Sequence, residues 1–281
     1  MTPEETAIHV RPPPQFSRWW GDFSIDESQA AAWQIGPLKL WLRHGQSEWS
    51  LCTETKADPM TAESRIQIPY LGTLPDSETH QRFAIQQKKS AVQVSPLTAD
   101  RPMISRPLSP FAITAKERVT LFISTPIWIR IAVGSPARTL VDIPSYRPSD
   151  SWFGPDTTQG ELCYASRMHA QMNTENISWT PHRAITTVEL INPTNASILL
   201  ERLCLPLPHF SIFSSQENLL WTEGATFELT GEDGLAHLRI HRSPPREAGR
   251  VKLETPPRDP RQENIVFRAI SALFPSGGSF L

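Results

Sequence analysis

Proline sets the first limit on what this chain can fold into. It supplies 27 of the 281 residues, about twice its usual share of roughly 5%. Proline fixes φ and lacks a backbone N–H, so it breaks helix interiors and is confined to strand edges, bulges and turns. At this density a helical bundle and a doubly wound α/β fold are both disfavoured. Many short strands joined by turns are the architecture that tolerates it. A chain of this length can bury a core without disulfide or metal staples.

Charge and cysteine content narrow the class further. Twenty-seven Lys and Arg oppose 29 Asp and Glu, for a formal net charge of −2. That disfavours a nucleic-acid coat protein or a strongly basic membrane-surface protein. Cys52, Cys163 and Cys204 are far apart and odd in number. No CxxC pair or Cys-His cluster gives metal-ligand spacing, so no metal and no other cofactor is expected. Unpaired thiols fit a reducing compartment. The opening MTPEETAIHVRPPPQF lacks the apolar stretch of a signal peptide. The most apolar run, VTLFISTPIWIRIAVG, contains Pro126 and Arg130 and is too short to span a bilayer. The expectation is a soluble, cytoplasmic protein with no transmembrane segment and no nucleic-acid partner.

The chain divides into four regions. Residues 1–32 form a polar, proline-bearing lead-in that Phe16, Trp19 and Trp20 can pin to a surface. Residues 33–118 form an N-terminal β region. There Leu38, Leu40 and Leu42 alternate with Lys39, Trp41 and Arg43, and SEWSLCTET follows as a second strand after a turn at His44, Gly45 and Gln46. Residues 56–117 carry only short runs such as RIQIPYL and VQV, compatible with an irregular sheet or a partly mobile region. Residues 119–242 form a C-terminal β domain, where ERVTLFIS, IWIRIAV, ELCYASRM, ITTVELIN and ATFEL recur between turn signals. Such spacing is that of an antiparallel sandwich or barrel.

Residues 243–281 combine a basic, proline-rich connector with the one strong helix signal. Asp259 can cap it, Pro260 suits its first turn, and Gly277-Gly278 lies past its end. Ile265, Val266, Ala269, Ile270 and Leu273 then share one face. The fold expected is all-β, with antiparallel sandwich or barrel-like sheets and one C-terminal α-helix. The exposed basic connector is expected to mediate weak, salt-sensitive association.

The sharpest string for chemistry is LWLRHGQSEW at 40–49. It resembles the opening signature of the histidine phosphatase superfamily. The resemblance makes His44 a phosphoryl-accepting nucleophile and Arg43 a phosphate clamp. The downstream helix with a second Arg and the late His-Gly are missing, and Ser50 stands where that family has Asn. The plainer reading is an exposed hairpin turn with Arg43 and His44 on its rim. Asp142, Asp150 and Asp156, near Arg138 and Arg147, read as turn-capping residues.

A second resemblance covers more of the chain. PIWIRIAVG, LVDIPSY, FGPDTTQGELCYASR and TVELINPTNASILLERLCLP, in that order, resemble segments of domain of unknown function family 432. WQIGPLKLWL with the following EW is similar to that family's opening hairpin. The resemblance implies a mostly β protein with no established activity and an association with a membrane channel of the small-conductance mechanosensitive type. It marks Gly154, Pro155, Gly160 and Cys163 as motif residues. Their chemistry is architectural: Pro155 fixes φ, Gly154 and Gly160 permit turns, and Cys163 enters a strand as a small buried group. The function expected is therefore a non-enzymatic interaction or accessory module. The alternatives are a phosphatase or phosphotransferase using His44, and a small-molecule-binding β-barrel.

Overall fold

The computed structural model describes residues 14–75, 80–85, 90–154, 158, 160–230, 235–260 and 265–271. The chain runs first through β1 (Gly21–Ser24), β2 (Ala30–Ile35), β3 (Leu38–His44), β4 (Glu48–Thr55), β5 (Ser64–Gln67) and β6 (Gln81–Ala84). It continues through β7 (Ala91–Leu97), β8 (Met103–Pro107), β9 (Phe111–Ile113), β10 (Arg118–Pro126), β11 (Trp128–Val133) and β12 (Arg138–Pro144). Next come β13 (Ser149–Phe153), β14 (Glu161–Ala170), β15 (Arg183–Ile191), β16 (Ile198–Leu200), β17 (Arg202–Leu205) and β18 (Ile212–Ser215). The last are β19 (Leu220–Trp221), β20 (Ala225–Leu229), β21 (Leu235–Ile240), β22 (Val251–Thr255), β23 (Ile265–Arg268) and β24 (Ile270–Ser271). Short 3₁₀ turns are the sole helical content among the described residues. Pro107, Pro126 and Pro144 each close a strand, where a missing N–H costs least.

The strands form sheets of order β5-β2-β3-β4-β6, β1-β7-β11-β12 and β13-β14-β8-β17-β24, with a small β9-β16 pair. The widest sheet runs β22-β18-β19-β15-β20-β21-β23, and β10 also pairs with β15. Antiparallel pairing predominates, as expected. The contacts β8–β14, β15–β19 and β15–β20 are parallel.

Alternation along the strands builds two large cores, with three smaller clusters beside them. In the first, Leu38, Leu40 and Leu42 of β3 and Trp49 and Leu51 of β4 face Val92 and Val94 of β7 and Ile129 and Ile131 of β11. Trp19 and Trp20 of the lead-in are buried in it, and the Trp19 indole donates to the Pro181 carbonyl at 2.8 Å. In the second, Leu121, Ile123, Val188, Leu190 and Phe227 pack with Met103, Tyr164, Leu203 and Leu205. Each large apolar side chain so buried stabilises the fold by roughly 1.5–3 kcal/mol.

The expected C-terminal helix is not formed. Residues 265–268 pair antiparallel with β21, from Leu238↔Ile265 to Leu235↔Arg268, and Ile270 and Ser271 pair with Leu203 and Arg202 of β17. Ala269, fully buried, is the corner where the chain passes from one sheet to the other. An isolated short helix is marginal, whereas β21 and β17 offer free sheet edges that leave backbone groups unpaired unless a strand is added. The β-branched Ile265, Val266 and Ile270 suit that extended alternative. Leu273, assigned to the apolar face of that helix, and Gly277-Gly278 past its end lie outside the described residues.

The basic connector is also partly built into the fold. Arg258 donates to Asp142 at 2.6 Å and to the Thr98 carbonyl at 2.8 Å, and β22 pairs with β18. Arg130 holds the same Asp142 carboxylate through two bonds of 2.8 Å. Burial alone pushes the Asp142 carboxyl up, but the bonds from Arg130 and Arg258 outweigh it and hold the group below its ordinary range. Asp142 is thus a strut in a strand rather than a turn cap. Asp150 is shared by Arg101 and Arg147 at 3.2 Å each, and Asp156 lies outside the described residues.

Candidate functional site

The outer face of the β5-β2-β3 sheet carries a groove of about 680 Å³. Strand pairing explains its lining. Gln34 of β2 is opposite Lys39 of β3 and Arg65 of β5, so these three side chains form one polar row across the sheet. Two positions along, Ala32 is opposite Trp41 and Gln67. The Tyr70 N–H donates to the Ala30 carbonyl at 2.7 Å, which brings the following segment back over this face. Tyr70 and Leu74 there pack against Ala32, Trp41 and Cys52. The groove therefore has an apolar, aromatic end and a cationic end.

Its charges are unequal. Lys39, Lys56 and Arg65 line it, and Glu63 is the single acidic lining residue. Lys56 neutralises Glu63 at 3.0 Å. Lys39 and Arg65 make no ion pair with any described residue. The volume lies within the range of roughly 300–1,000 Å³ common to ligand sites. Cationic side chains beside aromatic faces suit an anionic group carried on an apolar or planar body.

The residues of the phosphatase-like string do not converge. Adjacent residues of a regular strand point to opposite faces, and Arg43 is exposed while His44 is buried. His44 lies flat against Trp49, with ring centroids 4.1 Å apart and planes within 3°. Its Nδ1 bonds the Ile25 carbonyl at 2.8 Å and so carries a proton. The expected exposed rim holds for Arg43 alone. His44 is a core residue that closes the end of the β3–β4 hairpin.

The motif residues near 160 are architectural in part. Pro155 lies outside the described residues, and Gly154 ends β13 in a bend. Gly160 answers a close approach: a Cβ there would lie 2.6 Å from the Trp152 indole nitrogen and 2.7 Å from the Phe153 carbonyl. Cys163 is fully buried with Ile104, Phe153 and Cys204. Sequence reasoning missed the groove because its residues sit in 56–75 as well as in β2 and β3. The signal was present in RIQIPY, where Arg65 and Gln67 alternate with Ile66 and Ile68.

These features define an all-β protein of packed, mostly antiparallel sheets, with no helix long and apolar enough to cross a membrane among the described residues. The chain belongs to a family of proteins of unknown function, DUF432, whose family model matches residues 19–273. The match is wider than the 119–242 stretch where the sequence resemblance is clearest, and takes in both the groove and the C-terminal strands. Comparison with curated proteins and with solved structures gives no match.

Proposed function

We propose that the protein works by binding rather than by catalysis, as an interaction module that seats an acidic segment of a protein partner in the β5-β2-β3 groove. The observation that carries this reading is that Lys39 and Arg65, which make no ion pair with any described residue, line one groove with Trp41 and Tyr70. An acidic segment can pair its carboxylates with the two cations and lay an apolar residue against the aromatic end. A membrane channel is the partner class that the family resemblance brings forward, and three cysteines that form no disulfide, Cys52, Cys163 and Cys204, support a cytoplasmic setting. The phosphotransfer reading is set aside because Arg43 and His44 leave β3 on opposite faces. The small-molecule reading shares the groove and differs in its ligand.

Fluorescence polarisation with labelled acidic peptides, basic peptides and nucleotides tests the proposal on the full chain. Acidic peptides should bind, more weakly as salt rises. The double variant Lys39→Glu, Arg65→Glu should abolish binding while keeping the melting temperature. Nucleotide binding without peptide binding would transfer the groove to the small-molecule reading. Peptide binding untouched by the double variant would remove the groove from the function.

A further inference from the structure

Cys163 and Cys204 are 41 residues apart in sequence, yet the fold brings them together. Cys163 sits on β14 and Cys204 on β17, with β8 between those strands in the sheet. Their sulfurs lie 3.8 Å apart, and both residues are wholly buried. Glu161 leaves β14 two positions before Cys163 and on the same face. A carboxylate oxygen of Glu161 and the two sulfurs all lie within 4.8 Å of one another. Glu161 is half-buried, and no hydrogen bond or ion pair joins its side chain to any described residue.

His209 is not among the three residues whose donor atoms lie within 4.8 Å of one another. His209 ends the 3₁₀ turn Leu207–His209, five residues after Cys204. Nδ1 of His209 is 3.2 Å from the Pro260 carbonyl and donates to it.

The spacing fits an ion better than a crosslink. Two thiolates bound at about 2.3 Å to a tetrahedral cation place their sulfurs about 3.8 Å apart, whereas a disulfide needs about 2.05 Å. Two sulfurs and a carboxylate form a donor set that selects zinc over the hard cations. A partly buried carboxylate beside two thiols is costly without a cation to balance it.

We propose that Glu161, Cys163 and Cys204 form a three-ligand site for a thiophilic divalent cation, Zn²⁺ by donor chemistry, with solvent completing the tetrahedron on the half-exposed Glu161 side. The ion takes the place of the two thiol protons, which pass to solvent, and it ties β14 to β17 across β8. It acts on the sheet's stability and lies on a different sheet from the groove.

The full chain, reduced and stripped with a chelator, is titrated with Co²⁺ as a spectroscopic stand-in. One Co²⁺ per chain should bind with a thiolate charge-transfer band and strong tetrahedral visible bands, and Zn²⁺ should displace it. Cys163→Ser and Cys204→Ser should each remove most of the charge-transfer band, and Cys52→Ser, on β4, should leave it unchanged. Either serine variant could fail to fold, so Glu161→Gln, at the half-exposed side of the cluster, provides the second arm. It should keep the circular dichroism spectrum and the thiolate band while weakening Co²⁺ binding tenfold or more. A folded, reduced wild-type chain that shows no charge-transfer band overturns the proposal. So does a band that survives in both Cys163→Ser and Cys204→Ser, or a chain that forms a Cys163–Cys204 disulfide on mild oxidation yet never binds Co²⁺.

Discussion

β3 and β14 each carry two residues that chemistry would single out, and they differ in one respect, the spacing. Arg43 and His44 are neighbours on β3, so one meets solvent and the other enters the core beside Trp49. Glu161 and Cys163 are two apart on β14, so both leave the same face and meet Cys204. The side-chain period of a strand is two, and that parity decides whether a motif can become a site. An Arg-His string looks catalytic on paper because the residues are adjacent. On a regular strand, adjacency is what keeps them from sharing a ligand.

Parity depends on register, and the β2–β3 turn fixes the register of the N-terminal sheet. Gly36 in that turn has φ of +58°, and a Cβ there would lie 2.1 Å from His182 Nδ1. Nothing but glycine fits without moving a fully buried ring or slipping the hairpin, and a one-residue slip exchanges the groove face for the core face. Gly36→Ala should therefore cost about 3 kcal/mol or more, read as a lower urea midpoint or as failure to fold. A change below about 1 kcal/mol would mean that His182 yields easily and that the turn does not hold the register.

His182 supplies a second way to probe this junction. It is fully buried, its Nε2 donates to the Pro59 carbonyl at 2.9 Å, and its pKa is lowered from 6.5 to about 3, by burial first and by Arg183 second. Its folded pKa is depressed, so the unfolded chain takes the proton first as pH falls. The neutral ring's contribution is fully present above pH 6.5 and is lost progressively as pH falls from 6.5 toward 3. Between pH 7.5 and 4.5 the linkage amounts to about 2.5 kcal/mol. Urea unfolding at a series of pH values should show that slope, and His182→Gln should flatten it. An unchanged slope in His182→Gln would assign the acid sensitivity to another group.

The strands were readable where one face is buried and the other wet. The alternation of Leu38, Leu40 and Leu42 with Lys39, Trp41 and Arg43 predicts β3, and ERVTLFIS and ITTVELIN predict strands at β10 and β15, whose pairing only the structure shows. The segment 265–271 was misread because Ile265, Val266, Ala269 and Ile270 satisfy a helical period over a short window. The free edges of β21 and β17 that capture it belong to distant parts of the chain. Cys163 and Cys204 failed a test for local ligand spacing for the same reason: β8 separates their strands, and sequence distance carries no record of it. His44 was placed on a rim because a turn residue next to Gly45 is usually exposed, and the depth of Trp49 beneath it leaves no mark in the string.

The smallest expected effect is also the one that isolates parity itself, because it compares two adjacent residues of one strand. His44→Ala removes the ring from Trp49 and leaves the Ile25 carbonyl without its side-chain donor. Loss of the stack and an unsatisfied buried acceptor together should cost about 2 kcal/mol. His44→Phe keeps the stack and loses only the donor, so it should fall near half of that. Arg43→Ala touches an exposed side chain and should stay within about 0.5 kcal/mol. Urea midpoints at pH 7.5, where His182 is neutral in both states, give all three numbers on one scale. Equal effects of His44→Ala and Arg43→Ala would mean that β3 does not present them to opposite faces. A large effect of Arg43→Ala with none from His44→Ala would invert the register and move the groove to the core side. The ordering His44→Ala, then His44→Phe, then Arg43→Ala follows from the period of the strand and from the chemistry of what each face touches.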